Sequence, residues 1–199
     1  MPLKKDIRTL AVIGPNADNV YNMLGDYTAP QADGTVVTVL DGIRQKVSKE
    51  TRVLYAKGCA VRDSSRTGFK DAIETARNAD AVVMVMGGSS ARDFSSEYEE
   101  TGAAKVTINQ ISDMESGEGY DRATLHLMGR QLELLEEISR LGKPVVLVLI
   151  KGRPLLMEGA IQEAEAIVDA WYPGMQGGNA VADVLFGDYN PAGRLTLSV

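Results

Sequence analysis

The chain has 199 residues, 44% of them hydrophobic and 24% charged, with a formal net charge of −6, one cysteine and one histidine. This length and composition suit a single globular domain. The acidic balance and the lack of a Lys/Arg cluster argue against nucleic acid or membrane partners. One cysteine and one histidine exclude a Cys/His zinc site, and no apolar run approaches the roughly 18 residues of a membrane span.

Short apolar runs alternate with amphipathic segments along the chain. The apolar runs predict five buried parallel strands at Thr9–Gly14, Arg52–Ala56, Ala81–Met86, Pro144–Ile150 and Ala166–Trp171. The amphipathic segments predict helices at Val39–Val47, Gly68–Ala79, Gly129–Leu141 and Gly177–Phe186. This alternation predicts an α/β fold, in which a mostly parallel sheet carries helices on both faces. We expect a three-layer sandwich of the flavodoxin-like type, with right-handed crossovers.

The longest segment without a helix or strand pattern follows the third strand, and it is crowded with carboxylates. These are Asp93, Glu97, Glu99, Glu100, Asp113, Glu115, Glu118 and Asp121. Only Lys105 offsets them between Asp93 and Asp121. Such crowding can keep one carboxyl group protonated near neutral pH, as a general acid requires. Ligands of open parallel sheets bind beyond the carboxyl ends of the strands, which is where this acidic loop begins.

Other chemistries have weaker support in the sequence. The turn at Gly14–Asp18 lacks phosphate-binding spacing, and Gly87–Ser90 is better explained as a tight exit from a strand than as an anion-binding nest. His126 lies in an alternating run that predicts a solvent-facing strand position, and no serine elbow accompanies it. Calcium would find many oxygens but no EF-hand spacing. The residues alone therefore leave catalysis by a carboxylate, calcium binding and a solvated acidic loop open.

Four shorter segments also yield predictions. Asp121 and Arg122 are expected to form an ion pair that anchors the end of the acidic loop. Lys151–Pro154 is expected to form a turn after the fourth strand, although either basic side chain could reach the sheet's carboxyl edge. Trp171–Gly174 is expected to be a strand end packed into the core rather than a platform for a sugar. Cys59 is expected to be a buried core residue.

Several motifs, in one order, resemble the C-terminal α/β sandwich domain of family 3 glycoside hydrolases. They are Ala11–Ala17, Leu24–Tyr27, Gly117–Arg122, Gln131–Leu135, Gly142–Leu149, Tyr172–Gly174, Gly177–Ala180 and Asp183–Leu195. The resemblance covers nearly the whole chain, and the family includes β-glucosidases and β-xylosidases. It implies a retaining, exo-acting hydrolysis with two carboxylates and no cofactor. It also implies that the aspartate nucleophile lies in an N-terminal (β/α)8 barrel absent from this chain.

The same resemblance implies roles for individual residues. Glu118, in the Gly-Glu-Gly-Tyr-Asp-Arg motif, matches the family's general acid/base. Because that position varies within the family, Glu115, Glu97 and Glu99 are alternatives. Beside this resemblance, the residues themselves lead us to expect that Tyr120, Ser89 and Ser90 contact the substrate and that no metal is bound. The implied partners are a β-linked glucoside or xyloside and the barrel of the same polypeptide. Met128 replaces a proline that many members carry, which alters the entry to a helix.

The ends of the chain lead to a prediction about its origin. The run Gly193–Val199 stops within a strand-like pattern, so residues 1–199 are expected to be a single domain excised from a longer enzyme. Without a barrel, the isolated domain is expected to be inactive. The family's usual bacterial setting implies a periplasmic or secreted location. The competing hypothesis is a stand-alone module whose acidic loop binds calcium or a protein partner without catalysis.

Overall fold

A computed structural model describes residues 1–91, 100–101, 113–117 and 120–195. Within these residues, five parallel strands form one sheet. They are β1 (Thr9–Ile13), β2 (Arg52–Ala56), β3 (Ala81–Gly87), β4 (Val145–Ile150) and β5 (Ala166–Trp171). The strand order is β2-β1-β3-β4-β5, which is the order of flavodoxin-like doubly wound sheets. The predicted fold class is thus confirmed.

The described part of the chain has six helices, of which five lie between strands and the sixth follows β5. They are α1 (Val20–Leu24), α2 (Val39–Lys46), α3 (Phe69–Arg77), α4 (Gln131–Ser139), α5 (Glu158–Glu163) and α6 (Gly177–Leu185). The four predicted helices are confirmed, with ends within two residues of the prediction. The sequence did not predict α1 and α5, because five or six residues are too few to show a helical period. A cap marks the start of α1, where the Asn19 side chain accepts a hydrogen bond from the Asn22 amide.

Both faces of the sheet are covered by hydrophobic side chains, because successive residues of a strand point to opposite faces. Ala11 and Ile13 of β1 join a cluster with residues of α3, α4 and α5. Leu10 and Val12 join the cluster on the other face, with residues of α1, α2 and α6. The inner strands β1, β3 and β4 are fully buried, whereas the edge strands β2 and β5 are mostly half-buried. This is why the inner strands read as continuous apolar runs in the sequence.

One glutamine joins the two ends of the segment that contains the acidic loop. The Gln131 Oε1 atom accepts a hydrogen bond from the Gly87 amide at 2.9 Å, and Gln131 Nε2 donates to the Gly87 carbonyl at 2.8 Å. Gln131 is fully buried at the start of α4, and Gly87 ends β3. The two ends of segment 88–130 are therefore held together at one point.

The outer edge of β5 borders an open cleft of about 870 Å³. Its lining includes exposed apolar side chains, namely Met1, Ile161, Trp171, Tyr189 and Leu195. Trp171 was predicted to pack into the core, but it ends the edge strand β5 and is 38% exposed, so that prediction is wrong for this residue. No described residue of the acidic loop lines this cleft. No helix in the described ranges is both long and apolar enough to cross a membrane.

Cys59 is buried, as predicted, and its environment predicts a slow reaction with thiol reagents. Burial, together with the nearby Asp113 carboxylate, raises the pKa of the Cys59 thiol to about 12 from an ordinary value of 9.0. Since the thiolate is the reactive form, we expect native alkylation at pH 8 to be roughly 1,000-fold slower than in the urea-unfolded chain. Timed labelling with iodoacetamide measures this ratio, and rates within tenfold of each other would contradict the expectation.

Candidate active site

The carboxyl edge of the sheet carries a buried polar network between β1 and β3. The order β2-β1-β3 makes the chain leave these two strands in opposite directions, which opens a crevice at this edge. Asn16 follows β1 and is fully buried. Its Nδ2 donates to the Gly88 carbonyl at 3.0 Å and to the Ile150 carbonyl at 3.2 Å, and its Oδ1 accepts from Asn22 Nδ2 at 2.7 Å. Asn16 thus ties the ends of β1, β3 and β4 together.

Ser89 connects this network to the acidic loop. Its hydroxyl donates to Asn22 Oδ1 at 2.6 Å, and its carbonyl accepts from the Glu115 amide at 2.7 Å and the Ser116 amide at 3.2 Å. The Ser116 hydroxyl lies 3.2 Å from the Tyr172 hydroxyl, which reaches it from beyond β5. The described segment 113–117 is therefore docked on the exit of β3, at the edge where the sequence predicted a site.

The Glu115 side chain is buried and faces two arginines. Its exposed fraction is 1%, and its Oε2 atom lies 2.6 Å from Arg122 Nη1 and 3.8 Å from Arg153 Nε. The other oxygen, Oε1, lies against Gly88, where an added methyl group would come within 1.8 Å of it. Oε1 is buried and has no hydrogen-bond partner among the described residues. A buried carboxylate is tolerated when it is paired in this way.

The start of the described loop segment is fixed to the chain that follows β2. Asp113 Oδ1 accepts hydrogen bonds from the amides of Val61 at 3.0 Å and Arg62 at 3.3 Å. Arg62 Nη1 in turn donates to the Met114 carbonyl at 2.8 Å. Residues 113–117 are thus bonded to the chain after β2 through Asp113 and Met114, and to the exit of β3 through the amides of Glu115 and Ser116.

Glu118, the predicted acid/base, lies outside the described residues, as do its alternatives Glu97 and Glu99. The residues on either side of Glu118 and Gly119 are described. The Tyr120 amide donates to the Gly117 carbonyl at 3.3 Å, and the Tyr120 carbonyl accepts from Arg153 Nη2 at 3.0 Å. The two chain ends that flank Glu118 therefore lie together at the carboxyl edge.

The other predicted site residues are brought to this edge in different ways. The half-buried Tyr120 is held there by its backbone. Ser89 is buried, and its polar atoms bond within the protein. Ser90 is also buried, and its hydroxyl has no hydrogen-bond partner within the described ranges. Contact of these three residues with a substrate stays a prediction.

Two sequence predictions about this segment are wrong. The anchoring ion pair of Arg122 is with Glu115 rather than with Asp121. His126 is exposed, as expected, but residues 124–127 form no strand. The carbonyls of this run bond elsewhere: the Leu125 carbonyl accepts from the Leu156 amide at 2.8 Å, and the His126 carbonyl accepts from Arg122 Nη2.

Arg153 and Tyr172 are the site residues that the sequence analysis undervalued. Arg153 follows β4 and reaches the acidic loop, although the turn alone was the favoured explanation. Its neighbour Lys151 is buried instead beside β5, where Nζ lies 3.0 Å from Asp169 Oδ2 and 3.9 Å from the centre of the Trp171 ring. Arg153 could have been predicted to reach the site, because it is a basic residue that follows the carboxyl end of β4, and ligands of open parallel sheets bind at that edge.

Metal binding gains no support from the part of the chain that the structure describes. There, no three His, Cys, Asp or Glu side chains are grouped so that they could hold a metal ion. The acidic residues of 92–99 lie outside those ranges.

Comparison with known proteins identifies relatives over the whole length of the chain. The family described as "Glycosyl hydrolase family 3 C-terminal domain" matches residues 1–199. A β-xylosidase of Formosa agariphila is 42% identical over 198 residues, which are 96% of this chain and 24% of the relative. A periplasmic β-glucosidase of Salmonella typhimurium is 34% identical over 218 residues, which are 100% of this chain and 25% of the relative. The chain thus spans about a quarter of the length of these enzymes.

Solved structures show the same similarity in three dimensions. A GH3 exo-β-xylosidase in complex with a xylobiose aziridine activity-based probe aligns with a TM-score of 0.77 and 31% identity, covering 98% of this chain and 22% of that one. A β-glucosidase from Listeria innocua in complex with isofagomine aligns with a TM-score of 0.72 and 26% identity, covering 96% of this chain and 23% of that one.

Proposed function

This chain belongs to the glycosyl hydrolase family 3 C-terminal domains, and we propose that it supplies the general acid/base of a retaining exo-β-glycosidase. The proposed enzyme releases terminal β-glucosyl or β-xylosyl residues. Its relatives named above are a β-xylosidase and a β-glucosidase. The observation that carries the proposal is the anchored acidic segment, whose ends Gly117 and Tyr120 meet at the carboxyl edge of the sheet on either side of Glu118.

In the proposed first step, Glu118 protonates the glycosidic oxygen. An aspartate carboxylate of the barrel attacks the anomeric carbon from the opposite face of the sugar, and the bond from that carbon to the leaving oxygen breaks. The leaving group departs as a neutral alcohol, because the proton of Glu118 has moved to its oxygen.

In the second step, Glu118 acts as a base. Now ionised, it removes a proton from a water molecule, and the water oxygen attacks the anomeric carbon of the glycosyl-enzyme. The aspartate is released, Glu118 regains its proton, and the sugar leaves with its configuration retained. Retention requires the two carboxyl groups to lie about 5–5.5 Å apart, so this edge of the sheet must face the barrel.

The partners of the chain follow from this mechanism. It needs an N-terminal (β/α)8 barrel that carries the nucleophile, linked in the same polypeptide. The substrate is a β-linked glucoside or xyloside. An extracytoplasmic location, periplasmic or secreted, is part of the proposal, and the periplasmic β-glucosidase of Salmonella typhimurium among the relatives supports it.

The test compares the chain alone with the joined enzyme, meaning this chain linked to a barrel. That barrel is the one of its own polypeptide or, as a substitute, that of the Formosa agariphila β-xylosidase with this chain in place of the matching region. We expect the 199-residue chain to hydrolyse neither 4-nitrophenyl β-xyloside nor β-glucoside, because the proposed nucleophile belongs to the barrel. The joined enzyme should turn over at least one of them.

Two results would count against the proposal. Saturable turnover by the chain alone would place a complete site within it. A tight, stoichiometric calcium signal in calorimetry of the chain, with no turnover by the joined enzyme, would favour the binding-module alternative. The intact Formosa agariphila enzyme serves as the control for substrate and assay.

A further inference from the structure

We propose that Glu115 is a positioning residue, which holds the segment carrying Glu118 in place through its buried ion pair with Arg122. This inference rests on the proposed function, since it assigns proton transfer to Glu118 and the positioning of the loop to Glu115. Glu118 would exchange protons with the substrate, and Glu115 would hold the described residues on either side of Glu118.

The burial of Glu115 separates it from any substrate. Its side chain is 1% exposed, one carboxylate oxygen contacts Arg122 at 2.6 Å, and the other lies against Gly88. Arg122 is nearly as buried, with 6% of its side chain exposed. A buried charge without its partner is strongly destabilising, so Glu115 and Arg122 each hold the other in place. The ion pair therefore stabilises the conformation of the segment between them, which a solvent-exposed pair would do only weakly.

The ion pair closes a short loop around Glu118. Glu115 lies three residues before Glu118 and Arg122 lies four residues after it. Inside this loop, the Tyr120 amide bonds to the Gly117 carbonyl at 3.3 Å. Arg153 spans both parts, with Nε at 3.8 Å from Glu115 Oε2 and Nη2 at 3.0 Å from the Tyr120 carbonyl. Loss of the Glu115 charge would thus loosen both ends of the loop at once.

A loosened loop has a specific catalytic consequence. A general acid acts at about 2.6–3.2 Å from the atom that it protonates, and a displacement of about 1 Å can cost roughly 100-fold in rate. The proton donor would still be present in such a variant, but it would be misplaced. Substrates that need little protonation of their leaving group should be nearly unaffected.

Glu115→Gln in the joined enzyme tests this consequence. We expect kcat/KM for phenyl β-glycosides to fall about 10- to 100-fold, while kcat/KM for the 2,4-dinitrophenyl substrate changes less than about threefold. Azide should not restore the rate, because the Glu118 carboxylate is still present in this variant. Gly88→Ala is a second variant that keeps every charge, since its methyl group would come within 1.8 Å of Glu115 Oε1. It should show the same dependence on the leaving group.

Asp169→Asn is the matched control. It breaks the ion pair of Asp169 with the buried Lys151, and neither residue is an ion-pair partner of Glu115, whose partners among the described residues are Arg122 and Arg153. A merely structural effect would lower stability in all three variants but would leave the ratio of the two substrates unchanged. Equal substrate ratios for Glu115→Gln and Asp169→Asn would therefore overturn the inference.

Hydrogen exchange in the 199-residue chain provides a readout that does not depend on catalysis. We expect the Tyr120 amide to exchange at least about tenfold faster in Glu115→Gln, while the Val83 amide within β3 keeps its protection. Unchanged protection of Tyr120 would overturn the positioning role. If azide rescues Glu115→Gln and not Glu118→Ala, Glu115 is itself the acid/base, and the inference fails. Faster exchange with no effect of Glu118→Ala on rate would support the anchoring but reject the proposed function.

Discussion

Replacing Glu118 with alanine in the joined enzyme is expected to lower kcat/KM for phenyl β-glycosides about 100- to 10,000-fold, which is the usual contribution of general acid catalysis. Without the acid, the leaving oxygen must depart as an anion. The penalty should therefore shrink as the leaving group becomes a weaker base. For 2,4-dinitrophenyl glycosides, kcat/KM should stay nearly at the level of the unaltered enzyme. Steady-state kinetics over a series of aryl glycosides measures this dependence.

Azide gives the same substitution a second signature. With Glu118 absent, no base activates the water that opens the glycosyl-enzyme, so kcat for the dinitrophenyl substrate should fall and a small anion should restore it. The product of rescue should be the β-glycosyl azide, because azide attacks from the face that Glu118 vacated.

Controls for this prediction come from carboxylates nearby in the sequence. Asp121 is exposed and follows Glu118 by three residues, and Asp121→Asn should leave the rate almost unchanged. Glu97→Ala and Glu99→Ala test the remaining alternatives in the same loop. If either of these gives both the loss and the rescue, while Glu118→Ala does not, the acid/base is at that position instead.

Gly14→Ala is expected to reduce the free energy of unfolding by about 4 kcal/mol, which is a large part of the stability of a typical domain. Gly14 has φ of +132°, a conformation that side chains rarely adopt. An added methyl group would lie 2.0 Å from the Val85 carbonyl oxygen in β3. That oxygen also accepts the hydrogen bond of the Asn16 amide at 3.2 Å, so displacing it should disturb the Asn16 network beneath the site.

The matched control for this prediction is Gly34→Ala. Gly34 also has positive φ, at +78°, but no heavy atom lies within 4 Å of the added methyl group. Its loss should be about 1–2 kcal/mol, the cost of the left-handed conformation alone. Urea unfolding of the 199-residue chain, followed by circular dichroism, compares the two variants. Equal losses would show that the contact with Val85 contributes nothing.

The sheet was predictable from the sequence because its signals are local. The inner strands β1, β3 and β4 are buried on both faces, so each appears as an unbroken apolar run. The helices α1 and α5 escaped detection because they are too short to show a period and depend on their surroundings. Local propensity is a weak guide for such elements.

The contacts within the site were harder to predict because they join distant parts of the chain. Asn16 bonds to a carbonyl 72 residues away, and Arg153 contacts a carbonyl 33 residues before it. Even the partner of Arg122 was misassigned, since the adjacent Asp121 is the obvious candidate in sequence and Glu115 is seven residues away. The sequence identified the loop by its acidity and its place after β3. Its anchoring contacts could not be predicted, because their partners are brought together only by the folded chain.

The double hydrogen bond between Gln131 and Gly87 has a consequence for how this domain tolerates change. Both ends of segment 88–130 are fixed at one point, so the closure of the segment does not depend on how many residues lie between its docked parts. Doubling the length of a flexible loop costs only about 0.6 kcal/mol in closure entropy. A change of length between residues 91 and 113 therefore need not shift the sheet, whereas the contacts of Ser89, Asp113 and Glu115 tie the described parts of the segment to the fold. We expect insertions between residues 91 and 113 to be tolerated and replacement of residues 113–122 to unfasten the carboxyl edge.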